Sequence, residues 1–344
     1  MRSFGQLKDG TQVHLYVLQN EFLKVGVTDY GASLVELEVI DGKKKPVDVV
    51  LGFADVTGYE EDPGSYIGCN VGRIANRISG AFFELNGVCY HTDANEGENT
   101  LHSGLKPYSK RMWKVEWCAE DFIVFTLHSP DGDQGFPGAM DLKITYQICG
   151  NALHITYEGC SDKDTYCSLT NHSYFNLNGA GNGDIYDHRL CIHGDSFVPT
   201  DAHAIPTGEI LPVDNTPMDF RQFKAVGSDI DSEYQPINSA NGYDHNYCLS
   251  DYDGSMREAA VVYSPKTHIR MSVLTDYPGL QLYTANFLEK TTGKCGAEYG
   301  FRSALCLEAQ YYPDAVNKEG FMKPLLKKGE DYHKEIVFQF DLDN

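Results

Sequence analysis

Two short stretches of the chain set ionisable side chains among strand-forming residues, where a casual surface charge is out of place. In residues 303–311, SALCLEAQY, alternation puts Cys306, Glu308 and Gln310 on one face and Leu305, Leu307 and Ala309 on the other. Partial burial between leucines lifts a carboxyl above the roughly 4.3 of a free glutamate, making a stronger base that is still ionised near neutrality. In residues 168–177, SLTNHSYFNL, the same parity groups Thr170, His172, Tyr174 and Asn176 against Leu169, Asn171, Ser173, Phe175 and Leu177. The first face is polar or amphipathic throughout, as in a small-molecule site. A carboxylate and an imidazole together can run general acid–base chemistry, and the imidazole pKa of roughly 6.5 suits an acid working near neutrality. His102 in NTLHSG, Arg77 in GRIANRI and Asp244 in GYDHNY lie beside Gly and Asn, which suits loops at the mouth of a sheet. Taken one at a time, each side chain reads at least as well as a satisfied structural group: Glu308 as an ion-paired glutamate, His172 as a hydrogen-bonded core histidine.

The elements that must hold these residues are strands. Period-two alternation recurs at 123–128 (IVFTLH), 141–148 (DLKITYQI), 152–157 (ALHITY), 268–274 (HIRMSVL), 280–284 (LQLYT) and 335–342 (EIVFQFDL), each bounded by turn-forming residues. Helical periodicity is scarce, and its best candidate is 219–226, DFRQFKAV, with room for two turns. The 33 glycines and 14 prolines are spread as turns, not gathered into linkers. No repeat or composition break marks a boundary, so the expectation is one all-β domain over residues 1–344. Its strands would form a large antiparallel β-sandwich, because so many apolar strand faces need a second sheet to cover them. One concave sheet face would take the ligand, and the longer loops 178–187 and 229–243 would rim it.

Charge narrows the partners. With 49 acidic against 28 basic residues and a net charge of -21, the chain repels polyphosphate backbones and anionic membranes. The densest basic spots, Lys43 to Lys45 and Lys327 to Lys328, read as solvated turns. Ten cysteines show neither CxxC nor framework spacing, no secretory leader is visible, and no run of about 18 apolar residues occurs. The one N-x-S/T sequon, Asn171-His172-Ser173, falls inside a candidate site that a glycan would block. A reduced, cytoplasmic location is expected.

Several chemistries lack their signatures. No phosphate-cradling glycine loop, HExxH or GxSxG is present, and His188 and His193 in DHRLCIH want a third ligand. Neither metal nor cofactor is expected.

Read in order, TDYGASL (28–34), GRIANRI (72–78), NTLHSG (99–104), LTNHSYFNL (169–177), GYDHNY (242–247), PGLQLYTANFL (278–288) and LCLEAQYYPDA (305–315) resemble the aldose 1-epimerase, or galactose mutarotase, family. The resemblance extends over about 290 residues and implies a mutarotase-like β-sandwich with a sugar cleft on its concave sheet. It also implies roles: Glu308 as general base, His172 as general acid, His102 as a second active-site histidine, and Asn76, Arg77, Tyr174, Asp244 and Gln281 on the sugar hydroxyls. HSG stands where HGG is commoner, and EAQ where ETQ is usual, departures expected to act on the pocket wall. The partner implied is a free monosaccharide, met by a monomer or weak homodimer.

Such a set suits anomer interconversion, in which one group takes the C1 hydroxyl proton while another protonates the ring oxygen. Two other readings use the same residues. A binding module of this fold would keep Arg77 and Asp244 without turnover. A glycosidase would pair Glu308 with Asp244 across a scissile bond, at a separation of roughly 5–9.5 Å.

Overall fold

The computed structural model describes residues 1–41 and 43–342. Two large antiparallel sheets face each other. The nine-stranded sheet runs in the order Lys114–Cys118, Phe122–Ser129, Met140–Cys149, Ala152–Ser161, Asp331–Leu342, Ile269–Thr275, Arg257–Tyr263, Arg189–Ile192 and Lys224–Ala225. The six-stranded sheet runs Tyr174–Phe175, Leu305–Gln310, Gly279–Tyr283, Asp244–Leu249, Gly194–Val198 and Leu211–Pro212. A further five-stranded meander is built from the N-terminal residues 2–48. All six strands expected from alternation are present, with ends moved by a few residues.

Alternation explains the packing. Along Met140–Cys149, the inward Met140, Leu142, Ile144, Tyr146 and Ile148 are buried while the residues between them stay partly or fully open. They meet Leu280, Leu282, Leu305 and Leu307 of the six-stranded sheet in one continuous core. Each such side chain contributes about 1.5–3 kcal/mol of transfer free energy, so the sandwich rests on this layer and not on any single contact.

Leu305–Gln310, second in its sheet, is buried on both faces because side chains cover each of them. Leu305, Leu307 and Ala309 enter the main core, whereas Cys306 joins a second cluster under the N-terminal meander with Tyr174, Val35 and Leu51. That split is the parity expected from sequence. It leaves Glu308 on the face away from the core.

The helix expected at 219–226 does not form. The Asp219 carboxylate accepts from the Arg221 amide at 3.1 Å and pairs with its guanidinium, a local turn that competes with helix formation. Phe220 and Val226 go separately into the core, and Lys224–Ala225 adds to the sheet edge beside Arg189–Ile192. Lys43 to Lys45 and Lys327 to Lys328 lie exposed in turns, as expected.

Candidate active site

Sheet register assembles the site. Across three neighbouring strands Asn246 lies opposite Gln281 and Gln281 opposite Glu308, making one polar row. Two residues along, Asp244, Tyr283, Cys306 and Tyr174 form the next row on the same face. Opposed residues share a face, so this polarity is a direct consequence of alternation. Glu308, Asp244, Tyr283 and Tyr174 of these rows floor a cleft of about 670 Å³, which His172, His102, Asn76 and Arg77 also line.

His172 sits at a break between two short strands, Thr170–Asn171 and Tyr174–Phe175. Its backbone is clamped on both sides: His172 donates to the Cys69 carbonyl at 2.8 Å and accepts from the Gly68 amide at 2.9 Å. Gly68 has φ +71, and a Cβ there would lie 2.0 Å from the Leu34 carbonyl oxygen. Only glycine fits, so the TDYGASL segment reaches His172 through Gly68. The break also ends the expected parity. His172 and Tyr174 face the cleft, but Thr170 does not line it, and Asn176 bonds the Gly183 and Ser303 carbonyls instead.

His172 and Glu308 approach to 3.7 Å between Nε2 and Oε1, and both side chains are nearly closed to solvent. Burial pushes the Glu308 carboxyl well up, Asp244 reinforces this and Arg77 opposes it. Burial pushes His172 down to about 4. The rise expected for Glu308 is therefore present, whereas the histidine expected near 6.5 lies lower, and burial favours the neutral form of both groups. Desolvation, absent from a reading of single residues, is the reason.

The tautomer of His102 is set by its partner. The Asn76 amide donates to His102 Nδ1 at 3.1 Å, which leaves the ring proton on Nε2. Burial, with His172 and Arg77 nearby, holds this imidazole well below its usual pKa. His102 thus offers a neutral N–H donor. Its ring meets His172 edge-on at 5.4 Å between centroids, and Tyr66 packs on both rings. His102, His172 and Glu308 bring ligand-type atoms within 4.8 Å of one another, a set that suits a sugar hydroxyl and equally a small cation.

The remaining residues divide by where their polar atoms go. Arg77 forms a two-bonded pair with Glu96, at 2.6 and 2.7 Å. Burial alone would lower the guanidinium pKa, and the bonds to Glu96 raise it instead. Gln281 donates to Asp244 at 2.6 Å, and burial raises the Asp244 carboxyl against the pull of Arg77. Gln281 lies behind Asp244, in a small recess with Asn246, and off the main cleft wall. Tyr174 stacks under His172 at 5.1 Å and donates its hydroxyl to the Ser65 carbonyl at 2.7 Å, which commits its one phenolic proton. Arg73, the other arginine of GRIANRI, is buried against the Pro137 and Gly138 carbonyls, Thr165 and Ser129, a structural post for the loop.

A family model described as aldose 1-epimerase matches residues 14–339. The chain belongs to the aldose 1-epimerase family. It is 39% identical to galactose mutarotase of Sus scrofa over 98% of this chain and 97% of that one, and 37% identical to aldose 1-epimerase of Haemophilus influenzae over 96% and 97%. Its structure is similar to the GalM/aldose epimerase homologue of C. elegans, with a TM-score of 0.89, 32% identity and coverage of 96% and 100%. The galactose 1-epimerase of Lactobacillus acidophilus superposes with a TM-score of 0.85 at 26% identity, covering 99% and 98%. The fold is the mutarotase-like β-sandwich, and the activity is that of an aldose 1-epimerase, a carbohydrate isomerase.

The two departures from the epimerase pattern lie off the pocket wall, contrary to expectation. Ser103 has φ +71, a conformation that explains the commoner glycine. Its hydroxyl accepts from the Ile74 amide at 2.8 Å and donates to the Ile74 carbonyl at 3.0 Å, behind the cleft. Ala309 points into the sandwich core.

The rim also differs from expectation. Residues 229–243 contribute Ser239 and Ala240, but 178–187 pack elsewhere, with Ala180 bonded to Asp48 and Asn178 to Ser264. Segments around Asp62–Tyr66, Glu96–His102, Thr200–Ala204 and Phe287–Glu289 take their place. Glu96, Tyr66 and Tyr283 line the cleft and were not singled out from the sequence. Glu96 sits in NEGEN, where nothing in the spacing separates it from a solvated loop acid. His188 accepts from the Leu177 amide on Nε2 at 2.9 Å and His193 meets Glu258 at 3.1 Å, both away from the cleft.

Proposed function

We propose that this chain interconverts the α and β anomers of free aldohexoses such as D-galactose and D-glucose, with Glu308 and His172 as the proton-transfer pair. The observation that carries this reading is the buried approach of their side chains to 3.7 Å on the floor of the cleft. In ring opening Glu308, as carboxylate, takes the C1 hydroxyl proton while His172, as imidazolium, protonates the ring oxygen. The C5–O5 hemiacetal oxygen leaves C1, the C1 carbonyl forms, and the C1–C2 bond rotates. Reclosure reverses each transfer on the other face of the carbonyl. Opening leaves a neutral carboxyl and a neutral imidazole, the arrangement that burial favours. The pair holds one proton throughout, so no proton need be exchanged with solvent within the cycle.

His102, with its proton on Nε2, donates to the sugar beside the acid. Asn76, Arg77 and Asp244 hold hydroxyls, Tyr174 supports the ring of His172, and Gln281 orients Asp244. Charged hydrogen bonds of this type are directional and fix the sugar's orientation. The unbroken family match over 14–339 supports a single catalytic domain. Ten unpaired cysteines and a buried Asn171 in the sequon support a cytoplasmic location. A net charge of -21 opposes self-association and supports a monomer or weak homodimer.

Polarimetry of freshly dissolved α-D-galactose tests the reading. The rate should rise in proportion to protein, and a rate equal to buffer with folded protein would remove it.

A further inference from the structure

The charge balance of the cleft is uneven. Asp62, Glu96, Asp201, Asp244, Glu289 and Glu308 line it, and among the described residues Arg77 is its one lysine or arginine. Arg77 spends Nε and Nη2 on Glu96, at 2.6 and 2.7 Å, leaving Nη1 as the edge without a protein partner among the described residues. The arginine side chain is 15% exposed and that of Glu96 is 36% exposed, so both border the space a sugar would fill.

Glu96 is held in place by its own turn. Its carbonyl accepts from the Asn99 amide at 3.0 Å, its amide donates to the Asn99 carbonyl at 3.1 Å, and Gly97 between them has φ +60. Asn95, just before it, is fixed by two bonds to the backbone of Leu101. The carboxylate is therefore presented to Arg77 by a braced loop. Planar two-bonded pairing of this kind fixes both partners and neutralises the guanidinium.

We propose that Glu96 is a specificity-determining residue: by cancelling the charge of Arg77 it makes the cleft select uncharged aldoses over sugars that carry a carboxylate or phosphate. The inference rests on the aldose-binding reading of this cleft. With Glu96 in place, Arg77 offers a sugar hydroxyl one oriented donor, and an anionic sugar meets five other carboxyl groups with no free cation. Without it, Arg77 becomes a full positive charge at the same wall.

The test compares wild type with Glu96→Gln and Glu96→Asp on D-galactose, D-galacturonate and D-glucose 6-phosphate, by catalysed mutarotation and by calorimetric binding. Glu96→Gln should raise the ratio of kcat/KM for either anionic sugar to that for galactose by about tenfold. That is the change one unit charge makes at a few ångströms when the effective dielectric lies between water and a protein surface. The ratio of binding constants should move in parallel. Glu96→Asp keeps the charge, so its ratios should stay near wild type even if all three sugars bind less well. If Glu96→Gln weakens all three sugars together and leaves the ratios unchanged, Glu96 merely braces Arg77 and the proposal is overturned. Should wild type bind galactose without accelerating its mutarotation, the functional reading fails while the binding ratios still decide the role of Glu96.

Discussion

Glu308 Oε1 lies 3.7 Å from His172 Nε2, and one cause, burial, moves the two groups in opposite directions, the carboxyl up and the imidazole down. Both shifts favour neutral forms, and they leave a single proton to be shared by the pair.

The pH profile follows from that sharing. Above the raised Glu308 value neither group carries a proton to donate. Below about 4 His172 is protonated as well as Glu308, and no base remains. The pair is competent between these limits, so kcat/KM for galactose should fall on the acid side near pH 4. An acid limb centred at the roughly 6.5 of a free histidine would show that burial does not act on His172 as described.

Removing one member of the pair should cost turnover and spare binding. Glu308→Gln retains shape and hydrogen-bonding capacity and loses the proton acceptor, so kcat should drop by about 10²–10⁴-fold, with sugar affinity within a few-fold of wild type. His172→Gln should fall in the same range. Calorimetry beside polarimetry separates the two quantities.

Ser103 gives a prediction about stability alone. Ser103→Ala keeps the positive φ and leaves the buried Ile74 amide and carbonyl unpaired, which should destabilise the fold by about 2 kcal/mol. Ser103→Gly loses the same bonds but relieves the backbone, so its loss should be smaller by about 1 kcal/mol. Neither should change the ratio of galactose to glucose turnover, because Ser103 is off the cleft wall. Denaturant melts and paired kinetics check both statements.

The His102, His172 and Glu308 cluster has the spacing of a cation site, yet the proposed proton transfers need no metal. Exhaustive dialysis against EDTA should leave the mutarotation rate unchanged. A loss restored by a divalent cation would assign these residues a different task.

Much of this was legible in the sequence because the fold obeys period two. Alternation placed Glu308 opposite the core and located five strands of the nine-stranded sheet, with Gly279–Tyr283 and Leu305–Gln310 of the six-stranded one, since each inward residue had to be apolar. Where the chain departs from regular strand, parity stopped informing. The break at His172 sends Thr170 and Asn176 away from the cleft, and the side chain of Asp219 diverts 219–226 from a helix into a turn. The seven motifs pointed to the residues of the cleft without showing how they are supported. Gly68 is needed only because Leu34 folds back against it, and Glu96 matters only because Arg77 arrives from another loop. Ionisation states were the least legible, because burial is a property of the whole assembly.

The central claim is that the buried Glu308–His172 pair carries out anomer exchange, and NMR exchange spectroscopy on equilibrated [1-¹³C]galactose reads that step directly. Wild type should produce α–β exchange well above buffer and Glu308→Gln should lose it while still binding the sugar. Equal exchange rates in wild type and Glu308→Gln would contradict the account.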